Sequence, residues 1–156
     1  LMGAAKVAHV FEWGDWYIKP SAMLSAVRVS TDDARESGAG AASLAIKGSS
    51  ETYFAITPAV EIGSEFGDAD RTLYRPRVAL GITQALSNPD STVYASFVGA
   101  PGGFSYIGED SRTRVNLEAG IDVLSARGFN ARVNVTAQFD GDSTSLGAFA
   151  GVSYRF

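Results

Sequence analysis

The chain of 156 residues has no cysteine, a single histidine and no long apolar run. Without cysteine it is not a disulfide scaffold, although a cysteine-free chain suits passage through an oxidising compartment. One histidine, His9, supports neither a histidine-rich metal site nor a Ser-His-Asp triad, and we expect an interface or lumen position for it. We therefore expect no catalytic residue, no cofactor and no metal, and a protein that is not an enzyme.

Two further shortages narrow the class of protein. No apolar run approaches the roughly 18 to 20 residues of a membrane-spanning helix, so a chain that crosses a membrane must cross it as strands. The net charge is −4 and the basic residues are scattered, which argues against nucleic acid as a partner.

Apolar and polar residues alternate with a period of two along most of the chain, which predicts β-strands with one apolar and one wet face. The clearest case is residues 129–139, where Phe129, Val133 and Phe139 lie on the apolar parity and Arg132 and Asn134 on the other. The same alternation covers residues 16–25, 54–63, 74–83, 114–123 and 145–156, and less regularly 6–13, where His9 shares the apolar parity.

These strands are about ten residues long, which is the length of a tilted strand that crosses a bilayer. A soluble β-protein also alternates, but the apolar faces here have no second layer to cover them. Aromatic residues at the strand ends are typical of the girdle of a membrane barrel; they are Trp13, Trp16, Phe129, Phe139, Tyr154 and Phe156. We therefore predict an all-β fold, an antiparallel up-and-down transmembrane β-barrel, with about seven to eight strands present.

Three prolines oppose this prediction because each removes a hydrogen-bond donor from a strand. Pro20, Pro58 and Pro76 all lie on the apolar parity. We expect each to be accommodated near a strand end, by a bulge at the rim or by water.

Connections alternate between short and long. Short ones are predicted at Gly14-Asp15, residues 67–71, Arg127-Gly128 and residues 140–142, and long ones at residues 31–51 and 86–112. Since bacterial barrels keep short turns in the periplasm, we expect extracellular long loops and a periplasmic C-terminus. Parity then assigns residues 92–98 to a loop, which leaves seven spanning strands. Single-chain bacterial barrels normally have an even number, so we expect residues 1–156 to be part of a barrel.

Several segments resemble the translocator β-domain of type V autotransporters. They are WYIKP (16–20), ESGAG (36–40), PAVEIG (58–63) and LYRPRVALG (73–81). The end of the chain is similar to the C-terminal assembly signal of outer-membrane proteins, carried by Gly151, Tyr154 and Phe156, with Phe149 where that signal usually has a polar residue.

The resemblance implies the C-terminal part of a twelve-stranded barrel in the outer membrane of a Gram-negative bacterium. Such a barrel anchors an N-terminal passenger and helps to export it to the cell surface. The implied partners are outer-membrane lipid, the barrel assembly machinery, and the protein's own passenger and plug helix, both absent from this chain.

Charged residues on the wet parity are the candidate functional residues. They are Lys19, Glu61, Arg75, Arg77, Arg114, Glu118, Asp122 and Arg132. Most are expected to pair across strands and to keep the interior wet. As lumen or plug contacts we single out Glu61, Arg77, Glu118, Arg114 and Arg132.

A second interpretation stays open, a small complete outer-membrane barrel of adhesin or structural type. That interpretation needs residues 92–98 as an eighth strand.

Overall fold

The computed structural model describes residues 1–68, 70–87, 90–108, 111–141 and 143–155. Phe156, the predicted end of the last strand, lies outside these residues. The strands are β1 (Met2–Ala8), β2 (Phe11–Trp13), β3 (Trp16–Thr31), β4 (Ala34–Arg35), β5 (Leu44–Ile46), β6 (Ser49–Ser64), β7 (Phe66–Asp68), β8 (Thr72–Ala85), β9 (Ser91–Phe97), β10 (Phe104–Gly108), β11 (Thr113–Ser125), β12 (Phe129–Asp140) and β13 (Ser143–Tyr154). A short 3₁₀ turn spans Gly40–Ala42.

Seven of these strands form one antiparallel path in the order β1-β3-β6-β8-β11-β12-β13. The short strands β2 and β7 pair with β3 and β8 and continue the path of β1 and β6. This arrangement confirms the predicted antiparallel up-and-down order of seven strands. In the described residues β1 and β13 do not pair with each other, so the sheet is open.

Side chains separate onto two faces of this large sheet, as the alternation predicts. Along one face Ile18 lies opposite Ile62, Val78 opposite Ile62, and Leu80 opposite Leu117. On the other face Lys19 lies opposite Glu61. His9 occupies the apolar face, edge-on to Phe11 with ring centroids 4.6 Å apart. Of the two positions predicted for it, interface or lumen, the lumen position is therefore wrong.

The three strand prolines each account for a gap in the hydrogen-bond ladder. Pro20 accepts a bond from the His9 N–H but has no N–H to return, and here β1 gives way to β2. The pairing of β6 with β8 is interrupted beside Pro58, and β6 gives way to β7 beside Pro76.

No bulge is present at these gaps, so of the two expected accommodations the rim bulge is wrong, and accommodation by water stays a prediction. Pairing resumes in the same register on the far side of each gap: Ala8 pairs with Ser21 and Phe11 with Ile18 across the first. A missing proton donor interrupts the ladder without inserting a residue, and the two faces are therefore preserved.

Tight connections follow glycine chemistry. Gly14 has φ +60° while Asp15 has a negative φ, as in a type II′ hairpin turn with glycine first. The three-residue link before β12 ends on Gly128 at φ +84°, and the backbone oxygen of Arg155 would lie 2.2 Å from a Cβ there. Part of the predicted link at 67–71 is strand β7, so residues 67 and 68 belong to a strand that pairs with β8.

Both long loops contribute to a second, four-stranded sheet in the order β10-β9-β5-β4. Residues 92–98 belong here through β9, which confirms that they are not a strand of the large sheet. The strands β3 and β6 are also longer than predicted, at 16 residues each, so the loop between them is shorter than residues 31–51.

Replacing Pro20 by alanine is predicted to close the first gap. The new N–H can donate to the His9 carbonyl, and one backbone hydrogen bond of about 1 kcal/mol should slow local exchange roughly fivefold. Hydrogen–deuterium exchange of β2 measures this. Pro101→Ala, in the loop between β9 and β10, is the control; unchanged protection of β2 in Pro20→Ala would contradict this account of the gap.

Candidate functional site

The polar face of the large sheet begins with a three-residue contact between β3 and β6. Lys19 Nζ lies 2.7 Å from Glu61 Oε1, and the Tyr17 hydroxyl donates to the same oxygen at 2.8 Å. Gly63 lies opposite Tyr17, and a Cβ there would be 2.4 Å from the phenol ring. The glycine leaves room for the ring to cross the strand and reach Glu61.

Arg77 on β8 reaches across two strands. Its Nη1 donates to Asp122 Oδ2 at 2.9 Å, and its Nη2 donates to Asn134 Oδ1 at 2.8 Å and to Glu118 Oε1 at 3.3 Å. Asn134 lies on β12, beyond β11, and Gly120 stands directly between them in the register. A Cβ on Gly120 would lie 2.0 Å from Asn134 Oδ1, so the glycine is the passage through which Arg77 and Asn134 meet.

Two further contacts close this group. The Asn134 amide donates to Glu118 at 2.7 Å, and Arg132 Nε donates to Asp122 Oδ1 at 2.5 Å. We call these five residues, Arg77, Glu118, Asp122, Arg132 and Asn134, the Arg77 network. It contains two cations and two anions, and it connects β8, β11 and β12.

Burial strengthens the electrostatic attraction within these ion pairs. The side chains of Arg77 and Asp122 are only 17% and 15% exposed, so solvent screens their attraction less than at an open surface. Leaving either charge without its partner is therefore unfavourable.

The remaining predicted contacts lie apart from this network. Arg114 Nε donates to Asp140 Oδ2 at 3.2 Å, near the long loops. Arg75 pairs with Glu65 at 2.5 Å near the tight turns. All five residues singled out from the sequence lie on the polar face with partners in this chain; their contact with a plug helix stays a prediction.

A cavity of about 740 Å³ opens on the polar face toward the tight turns. Its lining includes Lys19, Arg75 and Arg77 as well as Glu12 and Glu65. Charges of both signs surround this space, as suits a hydrated interior.

Sequence reasoning placed Tyr17, Gly120, Asp122 and Asn134 on the wet parity but did not single them out. Their role depends on which residues of neighbouring strands lie opposite, and the register supplies that information. One feature of the sequence could have indicated the network. Gly120 is the only residue without a side chain on the wet parity of residues 114–123, where the others are charged or polar.

Two acidic residues of the first long loop accept hydrogen bonds from backbone N–H groups. Asp33 accepts from the Gly48 N–H at 2.6 Å and Glu36 from the Leu44 N–H at 3.1 Å. No group of three or more His, Cys, Asp or Glu side chains suited to a metal ion occurs among the described residues.

The predicted assembly signal is described in part. Gly151 lies opposite Arg132, and Tyr154 lies opposite Phe129 on the apolar face. Phe156 lies outside the described residues. Phe149 projects from the polar face of β13 with its ring against Gly151.

Comparison with known proteins identifies the family. Residues 1–136 match the autotransporter beta-domain, and the chain belongs to this family. The match extends over β1 and β2 and ends within β12. A search of curated proteins gave no match. No helix in the described ranges is long and apolar enough to cross a membrane.

Replacing Gly120 by alanine should fill the space through which Arg77 and Asn134 meet. The added Cβ displaces Asn134, so the Arg77–Asn134 hydrogen bond is lost, and we expect about 1–3 kcal/mol of destabilisation. Denaturant unfolding in bilayers measures it. Gly3→Ala is the matched control, because nothing lies within 4 Å of a Cβ at Gly3; equal stability of the two variants would exclude the passage.

Arg77 and Asp122 should be energetically coupled. We expect the double-mutant cycle of Arg77→Met and Asp122→Asn to give an interaction energy of about 1–3 kcal/mol. The cycle of Arg114→Met with Asp122→Asn should instead be additive to within about 0.5 kcal/mol, since Arg114 pairs with Asp140 and lies far from Asp122 along β11. Additivity in both cycles would show that the Arg77 contact does not contribute to stability.

Proposed function

We propose that the chain is part of an outer-membrane translocator barrel that anchors an N-terminal passenger and helps to export it to the cell surface. The observation that carries this proposal is an apolar sheet face without a core. Among the described apolar residues only Ala95 is buried, whereas Ile18, Val60, Leu80 and Val135 are exposed. A face of this kind is stable against hydrocarbon and unstable against water.

The length of the apolar face supports a bilayer as its environment. On β3 the apolar parity extends from Trp16 to Ala26, and on β11 from Val115 to Val123. Stretches of about nine to eleven residues fit a tilted strand in a bilayer. Beyond Ala26 the same parity carries Arg28, whose Nε donates to Ser50 Oγ at 3.1 Å, so the face becomes polar where the strands continue.

The polar face supports a water-filled interior. In a closed barrel the Arg77 network and the Lys19–Glu61 pair line the lumen, where balanced charges keep it hydrated. A plug helix or a passing polypeptide then lies against the cavity beside Lys19 and Arg77. In this proposal seven strands are the C-terminal part of a twelve-stranded barrel, and strands outside this chain pair with the open edges of β1 and β13.

Orientation and assembly follow the same proposal. The tight turns at Gly14-Asp15, between β7 and β8, and at residues 126–128 lie together at the periplasmic end, and the two long loops lie outside. The assembly machinery recognises the last strand through Gly151, Tyr154 and Phe156. The role requires binding and transport, with no catalytic residue.

The second interpretation, a small complete barrel, needs residues 92–98 as an eighth strand of the large sheet. Residues 92–97 lie within β9, which pairs with β5 and β10 in the second sheet and not with the large sheet.

Epitope tags in the complete protein test orientation. A tag inserted after Gly102 should bind antibody on intact cells, whereas a tag after Gly14 should bind only after the outer membrane is permeabilised. Nothing lies within 4 Å of a Cβ at either glycine, so neither insertion point is enclosed by packed side chains. If only the Gly14 tag were labelled on intact cells, the barrel would have the opposite orientation to the one proposed.

Export is tested with an epitope in the passenger segment, N-terminal to all strands of the barrel, in the same protein. External protease should remove this epitope from intact cells, while the barrel stays in the outer-membrane fraction. An epitope that remains protected in cells with a correctly inserted barrel would contradict the export role.

A further inference from the structure

Every tight-turn connection in the first half of the large sheet carries aromatic residues on the apolar face. Trp13 lies opposite Trp16 across the Gly14-Asp15 turn, and Phe66 stacks on Tyr74 with centroids 5.4 Å apart beside the next turn. The two tryptophans are the only ones in the chain. They are 86% and 61% exposed, so their ring faces are available to a ligand.

An apolar groove of about 580 Å³ lies at this first turn. Its apolar lining is formed by Phe11, Trp13, Trp16, Ile18 and Ile62. The groove is part of the apolar face, and a lipid acyl chain is the occupant that fits such a surface.

The charge at the turn selects a head group. Asp15 and Glu12 also line the groove, no basic residue does, and neither carboxylate forms an ion pair within the described residues. The second turn differs because Asp68 pairs with Arg71 at 3.8 Å. The third turn carries Arg127.

We propose that the groove at the Gly14-Asp15 turn binds a phospholipid whose head group carries a free ammonium. The acyl chain lies along Ile18 and Ile62, and the ammonium contacts the Asp15 carboxylate and the face of Trp13 or Trp16. Tryptophan is the side chain that attracts cations most strongly through its ring face, and a carboxylate adds a charge-assisted hydrogen bond. Anionic head groups are repelled by the Asp15 carboxylate.

The inference rests on the proposed function, because the groove contacts lipid only if the apolar face is in a membrane. The two tryptophans report on the site directly. The complete protein, with any tryptophan outside these 156 residues replaced by phenylalanine, is reconstituted in bilayers that contain brominated phosphatidylethanolamine or brominated phosphatidylglycerol, each mixed with its unbrominated form and with phosphatidylcholine. Bromine quenches tryptophan fluorescence on contact, so titration gives the relative affinity for each head group.

We expect phosphatidylethanolamine to be preferred by roughly two- to fivefold, the factor that corresponds to one exposed ion pair. The preference should fall as salt is raised. Asp15→Asn should remove most of it without reducing total quenching, whereas Asp70→Asn, at the second turn, should leave it intact.

The outcomes separate the two proposals. Equal quenching by both lipids, or a preference that survives in Asp15→Asn, would overturn the head-group site and leave the membrane position standing. Absence of quenching by either lipid would overturn both.

Discussion

The backbone hydrogen-bond ladder between antiparallel strands is the constraint on which the rest of this structure depends. In hydrocarbon no water replaces a lost partner, so each N–H and C=O of a spanning strand has to be paired with a neighbouring strand. The large sheet meets this condition over β3, β6, β8, β11 and β12, each of which has a partner on both sides. Its exceptions have a chemical cause, because each gap lies beside a proline that has no proton to donate.

Constant register keeps the apolar and polar side chains on separate faces of the sheet. A slip of one residue would exchange the two faces of a strand and move its charges into the apolar environment. Because the prolines interrupt the ladder without shifting it, Ile18 stays opposite Ile62 and Lys19 stays opposite Glu61. The same register puts Gly120 between Arg77 and Asn134, and the glycine then allows three strands to share one network of charges.

Asymmetry between the two ends of the sheet gives the fold a direction. One end has the turns at Gly14 and Gly128 and most of the aromatic residues of the apolar face, including Trp16, Tyr74 and Tyr154. The other end has the loops that form β4, β5, β9 and β10. These loops pair with each other through β5 and β9, which makes a second sheet from two segments far apart in the sequence.

The sequence was sufficient to predict the number of spanning strands, their two faces and the tight turns, because a period of two and glycine at turns are local signals. The Arg77 network could be predicted only as charges on the wet parity, since its contacts depend on which residues of β8, β11 and β12 lie opposite one another. The second sheet was missed because residues 31–51 read as a loop rich in Gly, Ala and Ser, and the pairing of Ile46 with Ala95 is non-local. The rim bulge offered as one way to accommodate Pro20 is wrong, since a proline in the sequence shows that a donor is lost but does not show whether a residue is inserted.

The central claim is that one face of the large sheet contacts lipid and the other contacts water, and accessibility along β12 tests it most directly. The chain has no cysteine, so single cysteines at positions 130–138 carry unique spin labels. In outer membranes, collision with oxygen should be high at odd positions such as Val133 and Val135, and collision with a water-soluble nickel complex should be high at even positions such as Asn134 and Thr136. Equal accessibility to the nickel complex at odd and even positions would contradict the account.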